Sequence, residues 1–341
     1  MKHLTTILLA LFVLCWFVKP TVQAQQVSVT ITEGIGNGPV KESIETSASA
    51  LLSAFNASVL EDGKKLKDKL RTIFNEKDPE NKELIKSIMN LWEASPITCS
   101  VSEIEGRVDI LYGNRGYQLR DIPVLVLDAD LNSEYQYMVF SYNTQGQLTD
   151  VNMALELHNY NDVIIANIPE EDLARRQVIL DFIETFRTAY NRKDINYLNQ
   201  VYSNDALIIT GKVLKKDNRK KDQQSLMNSL GSVQVEYQVQ NKQQYIEKLK
   251  RTFKRNSYIN IKFEEVSVMK HSKHPNIYGV TLKQYWNSST YSDIGWLFLM
   301  INFEDALNPS IEVRTWQPNE YDDGSRERRR DEVFSLDNFN I

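Results

Sequence analysis

The sequence predicts an α+β protein of two domains, each with helices packed on a curved antiparallel sheet. Three observations carry this reading. The chain is 341 residues long, which suits two domains. Helix-spaced apolar residues give way to period-two alternation, and this succession occurs twice. Between the two runs lies Ala166-Asn167-Ile168-Pro169-Glu170-Glu171-Asp172, where proline ends an extended segment and acids favour a helix start. The domains are therefore expected at residues 25–166 and 167–318, with a leader at 1–24 and a charged tail at 319–341 that ends in a short apolar segment.

The leader has Lys2 and His3 ahead of an apolar run from Leu4 to Val18, then Val22-Gln23-Ala24. A charged start, a short apolar core and small residues three and one positions before a cut describe a secretory signal peptide, with cleavage after Ala24. The run falls short of the roughly 20 residues a membrane-spanning helix needs. Cys15 follows Leu14 instead of a small residue, which argues against a lipid anchor. The expected location is outside the cytoplasm, periplasmic or extracellular. Cleavage leaves Cys99 as the sole cysteine, so the mature fold has no internal disulfide and rests on its core, with Cys99 reading as a small buried apolar side chain.

In the first block, residues 25–39 are short-stranded and glycine-spaced. Ile44, Ala48, Leu51, Leu52, Phe55 and Val59 then fall on one helical face. A second helix is predicted from Lys82 to Trp92, opened by Asp78-Pro79 because proline is tolerated in a first turn. Alternating runs follow at 107–112 and 117–127, flanking GNRG, and at 135–142 and 148–157, flanking NTQG. The block reads as two helices and an antiparallel meander of four or more strands.

The second block opens with a long amphipathic helix through Leu173, Val178, Ile179, Phe182, Ile183, Phe186 and Tyr190. A shorter helix carries Leu198, Val201 and Tyr202, and Asp205 is expected to close it as a turn acid before an apolar strand, 206–211. After the basic stretch 212–224, a helix over 243–255 presents Tyr245, Ile246, Leu249 and Phe253. Strands are expected at 259–270, 277–286, 295–303 and 311–316. The third of these is apolar on both faces, with Trp296, Phe298 and Met300 opposite Leu297, Leu299, Ile301 and Phe303, so both faces must be covered. Helices before a curved meander occur in both blocks, which suggests internal duplication.

Charge excludes one class of partner. With 45 acidic and 40 basic residues the chain lacks the coherent positive face that phosphate binding needs, so nucleic acid is not expected. The basic stretch has no interleaved aromatic residues for base stacking and reads as a solvated loop.

The helix DFIETFRTAYNRKD, the segment YLNQVYSNDA, the strand LIITG, and the closing runs YGVTLKQYW, GWLFLMINF and IEVRTWQP resemble the nuclear transport factor 2-like superfamily. This cone-shaped α+β fold also houses ketosteroid isomerases and polyketide-cyclase-like enzymes. The resemblance covers roughly residues 170–318. It implies a pocket between the long helix and the concave sheet, whose lining on this chain is expected from Phe186, Tyr190, Tyr202, Asp205, Thr210, Tyr245, Gln284, Trp286, Glu312 and Arg314. The convex sheet face is therefore expected to pack against the first domain or a second copy, and the resemblance implies that the second arrangement gives a homodimer.

Catalytic signatures are sparse. Isomerase chemistry of this kind needs a carboxylate base and a tyrosine or protonated acid as oxyanion donor. His271 and His274 lie in KHSKHPN, which reads as a turn, and no acidic partner makes them a metal pair. Nucleophile elbows, phosphate-binding glycine loops and zinc-binding cysteine pairs are absent from the sequence. The expected function is that of an exported, non-catalytic protein binding a small apolar ligand or a protein partner, without metal or cofactor. The alternative is an isomerase, dehydratase or hydrolase with its site in the second cone.

Overall fold

The computed structural model describes residues 25–60, 65–111, 113–127, 133–156, 170–214, 234–321 and 326–339. Residues 1–24, expected to be a signal peptide, the 166/167 boundary, the fourth histidine, His158, and most of the basic stretch lie outside the described residues.

The first unit begins with β1 (Ser28–Glu33), then α1 (Pro39–Leu60), α2 (Leu66–Ile73) and α3 (Pro79–Ala94). Asp78 caps α3 by accepting from the Glu80 N–H, and Pro79 occupies the first turn, where its missing donor costs nothing. The helix α2 is a third helix where two were expected. Its sequence LKDKLRTI is short and half charged, and Leu66 and Leu70, with the partly buried Ile73, carry it into the core. There follow β2 (Ile97–Thr98), β3 (Glu103–Ile110), β4 (Tyr117–Leu127), β5 (Ser133–Tyr142) and β6 (Leu148–Met153). The sheet order is β1-β3-β4-β5-β6, with β2 on β4. The meander β3 to β6 is antiparallel, but β1 runs parallel to β3, so the sheet is mixed. The core joins Ile44, Leu51, Phe55, Ile88 and Trp92 of the helices to Leu119, Val124, Phe140 and Val151 of the strands. Cys99 is buried, with Sγ 3.3 Å from the Pro123 carbonyl, and burial pushes its thiol pKa up.

The second unit comprises α4 (Glu170–Asn191), α5 (Ile195–Val201), β7 (Tyr202–Leu214), β8 (Gln234–Gln240), α6 (Lys242–Arg255), β9 (Ile259–Lys270), β10 (Ile277–Ser288), β11 (Tyr291–Asn302) and β12 (Ser310–Pro318). The sheet order is β8-β7-β12-β11-β10-β9. The last strand thus sits in the middle, parallel to β7 and antiparallel to β11. The edge strand β8 is an addition to the predicted set. In QVEYQVQ Tyr237 is 41% and Val239 68% exposed, so along this part of the strand the alternation points the opposite way from a buried strand. The two sheets are not copies. In the first unit the leading strand joins the start of the meander, whereas in the second it joins the end.

Two acids trade places relative to expectation. Asp194 is the capping acid, accepting from the Asn196 and Tyr197 N–H groups to start α5. Asp205 does not close that helix, because β7 already begins at Tyr202, and Asp205 is exposed on the strand.

Helix α4 joins the units. Ile179, Phe182, Ile183, Phe186 and Tyr190 enter the second core. The opposite face is polar and packs on the first sheet. Arg120 pairs with Glu184 at 2.5 Å, Gln118 donates to Asp181 at 2.7 Å, and Thr188 Oγ accepts from the Met153 N–H at 2.9 Å. Arg187 donates to the Ile261 and Ala154 carbonyls and to Gln136 Oε1 at 2.6, 2.8 and 2.5 Å.

Both faces of β11 are covered. Leu297, Leu299 and Ile301 meet the helices, while Phe298 and Met300 lie under the chain's own C-terminal segment. There Phe334, Leu336 and Phe339 pack on Ile277, Phe298, Met300 and Val313. Phe298 and Phe339 stack with centroids 5.7 Å apart. Gly279 makes room: a Cβ there would stand 2.7 Å from Leu336 Cγ and 2.9 Å from Phe298. Trp296 Nε1 donates to the Arg328 carbonyl, and the Phe334 N–H to Gln317 Oε1.

Two outcomes test this packing. Leu336→Asp should leave far-UV circular dichroism unchanged, speed proteolytic loss of residues 326–341, and drive self-association through the bared Phe298 and Met300, read by gel filtration. Asp181 is half-buried and its pKa is raised to about 6, by burial first and then by Glu184 and Asp150. A proton held more tightly folded than unfolded stabilises below about pH 4, and that stability is lost as pH rises to about 6. Asp181→Asn should therefore raise stability by up to about 3 kcal/mol at pH 7 and by nothing near pH 3 in urea unfolding.

Candidate functional site

Helix α6 places Tyr245, Lys248, Leu249, Thr252 and Arg255 at intervals of three and four, so they share one face. That face looks across the concave side of the sheet at Thr210 and Gly211 of β7, Gln284, Trp286 and Ser288 of β10, and Arg314 and Trp316 of β12. Thr290, Tyr291 and Asp293 of the β10–β11 hairpin complete the wall. The residues enclose a cavity of about 480 Å³. Its floor is fixed by Asn256, whose Oδ1 accepts from the Thr290 N–H and Oγ1 at 3.1 and 2.7 Å and whose Nδ2 donates to the Thr252 carbonyl. The Trp316 ring reaches its place because Gly295 lacks a side chain, since a Cβ there would stand 2.4 Å from the indole.

Behind Tyr245 runs a chain of phenols. Tyr190 Oη lies 2.7 Å from Tyr245 Oη and 3.2 Å from Tyr202 Oη. Burial pushes the pKa of Tyr190 and Tyr202 far up, so both remain protonated and neutral. Arg314 is 5% exposed, with its guanidinium carbon 5.2 Å from the Tyr245 ring centroid. Its Nε and Nη1 have no hydrogen-bond partner, and neither does Asp293 Oδ1. Burial raises the Asp293 pKa to about 6, against the opposing pull of the Tyr291 hydroxyl and Arg314.

Of the residues expected at the pocket, Thr210, Tyr245, Gln284, Trp286 and Arg314 line the cavity. Tyr190 and Tyr202 stand one layer behind, and Phe186 lies deeper, its ring 5.1 Å from Tyr190. Asp205 is exposed and away from the cavity. Glu312 was expected to share a face with Arg314 and Trp316, and a β-bulge prevents it. Met300 pairs with Val313 and Ile301 with Ile311, so Glu312 is the extra residue and accepts from Ser310 Oγ instead. Sequence reasoning missed Lys248, Thr252, Asn256 and Asp293. The helical spacing from Tyr245 would have found the first two. Asp293 lies ahead of the predicted strand start, where β11 extends to Tyr291.

A second cleft, of about 570 Å³, runs from Glu134 of the first unit to Trp286 and Asp293 of the second. Lys262 in its wall is paired, 2.9 Å from Glu264 and 3.6 Å from Glu134 within the cleft and 2.8 Å from Glu156 beside it. His271 and His274 are remote from both, and His271 Nδ1 accepts from the Lys273 and His274 N–H groups within its turn. Among the described residues no group of three or more His, Cys, Asp or Glu could hold a metal ion.

No protein-family model matches the chain. No curated protein matches it either. Solved structures are similar over a little under half of it. Bd1075 of Bdellovibrio bacteriovorus is 15% identical over 44% of this chain and 43% of its own, with a TM-score of 0.32. A putative scytalone dehydratase from Novosphingobium aromaticivorans is 8% identical over 47% and 95%, with a TM-score of 0.32. A nuclear transport factor 2-like protein of unknown function from Shewanella oneidensis is 12% identical over 42% and 98%, with a TM-score of 0.28.

The phenol chain yields a stability prediction. Tyr190→Phe removes two buried hydrogen bonds and should cost about 1–2 kcal/mol in urea unfolding. Combining it with Tyr245→Phe should cost less than the sum of the singles, because both variants delete the same bond.

Proposed function

We propose that this chain is an exported, non-catalytic binding protein that holds a small molecule in the cavity between α6 and the concave face of the second sheet. One observation carries the reading: the cavity is preformed, walled by Trp286, Trp316 and Leu249, and supplied with a few convergent polar groups. Tyr190 and Tyr202, one layer behind the cavity, are kept neutral by burial and are unsuited to removing a proton. No metal or cofactor enters this reading. Export rests on the leader pattern of residues 1–24. Among the described residues no helix is long and apolar enough to cross a membrane. A homodimer through the convex face would have to displace residues 326–339, which already occupy part of it.

A second reading is favoured by Asp293. A carboxylate with a pKa of about 6 in a cavity lined also by Tyr245 brings together the two residue types, a base and an oxyanion donor, that an isomerase, dehydratase or hydrolase requires.

Nile red, a neutral apolar dye, tests the binding reading in the full chain. Its fluorescence should rise on binding to the wild type, and Thr252→Trp, which fills the cavity from α6, should weaken it about tenfold or more. Equal uptake by a folded Thr252→Trp variant would move the binding site elsewhere. Asp293→Asn separates the two readings: dye uptake should persist, and a carbonyl compound turned over by the wild type but not by this variant would establish catalysis.

A further inference from the structure

The lining of the cavity carries Lys248, Arg255 and Arg314 against Asp293 as its one carboxylate, in a chain whose formal net charge is −5. The local sign therefore opposes the overall one. A guanidinium cannot shed its proton to escape burial, so a cation 5% exposed needs acceptors around it. Arg314 has the Tyr245 ring beneath it, which offsets part of the lost hydration. Yet two of its three nitrogens, Nε and Nη1, find no partner, and Asp293 Oδ1, likewise unpartnered, does not supply one. The strand leaves no freedom to turn away, since Arg314 pairs with Leu299 on one side and Ile208 on the other.

We propose that the ligand of this cavity is an organic anion, a carboxylate on an apolar body, and that Arg314 is the residue that holds it; the inference rests on the binding reading above. The carboxylate accepts from the guanidinium, whose enclosed Nε and Nη1 come within its reach by a small shift of the Arg314 side chain, while the body lies against Trp286, Trp316 and Leu249. Charge-assisted bonds to a guanidinium are the strong ones, and they gain further from a site with little water. The small apolar ligand expected from the sequence thereby acquires one charged end.

Matched probes test this in the full chain by isothermal titration calorimetry. Naphthoate and naphthamide have nearly the same shape and differ in charge. The wild type should bind naphthoate about tenfold or more tightly than naphthamide. Arg314→Gln should erase that preference while far-UV circular dichroism shows the variant folded. A wild type that binds the amide as tightly as the acid overturns the inference, as does a preference that survives in folded Arg314→Gln. Should that variant fail to fold, the wild-type comparison still decides, joined by Lys248→Gln. That neighbour shapes the field without replacing the anchor, so its loss should weaken naphthoate and leave the preference in place. Nile red uptake without any naphthoate binding sinks the anionic ligand alone, whereas failure of all three probes to bind removes the binding reading and this inference with it.

Discussion

Helix α4 has two faces of opposite character, and both are buried. Its apolar stripe belongs to one core and its charged stripe is pressed against the sheet of the other unit. Arg187 is the centre of this arrangement, fully covered and with its pKa lowered to about 10 by burial, against the pull of Glu134, Glu184, Glu156 and Glu264. It stays charged at neutral pH and bonds to Ile261, Ala154 and Gln136, so it fixes an orientation as well as an attachment. Such a cluster adds little net stability over a well-packed apolar interface, but removing one member strands the rest. The units are therefore committed to one mutual placement.

That placement reaches the cavity through a short path. Ile261 gives its carbonyl to Arg187 and its N–H to Asn191 Oδ1, so both sides of one peptide segment are tied to α4. Ile261 in turn stands opposite Trp286 in the β9–β10 ladder, and Trp286 is a wall of the cavity. Tyr190, one turn along α4 from Arg187, anchors the phenol chain. The same helix thus positions the aromatic wall and the hydroxyl row.

Much of this was legible in the sequence. Long elements with strong periodicity, such as α1, α4, α6 and β9 to β12, could be read because many residues vote for the same face. The strand apolar on both faces announced two coverings, and the short apolar end of the tail supplies one of them. What escaped was set by tertiary context. The helix α2 is too short and too charged to show a stripe. The strand β8 is a sheet edge with Tyr237 and Val239 outward, a pattern that says nothing about which side is core. The bulge that ejects Glu312 is one extra residue in one strand, invisible until its partners are known. Arg314 and Tyr245 were identifiable as candidates, but the unpaired guanidinium nitrogens are a property of the assembled cavity.

The position of β12 has a consequence for the order of assembly. It is the last strand of the sheet in the chain yet lies between β7 and β11, and Ile311 meets Tyr202 across more than a hundred intervening residues. Loop-closure entropy makes such a pairing slow relative to the β9–β10–β11 hairpins. Arg314 and Trp316 arrive with that strand. The cation is thus not buried until the rest of the cone exists to receive it, and the chain passes through its early folding with this charge still in water.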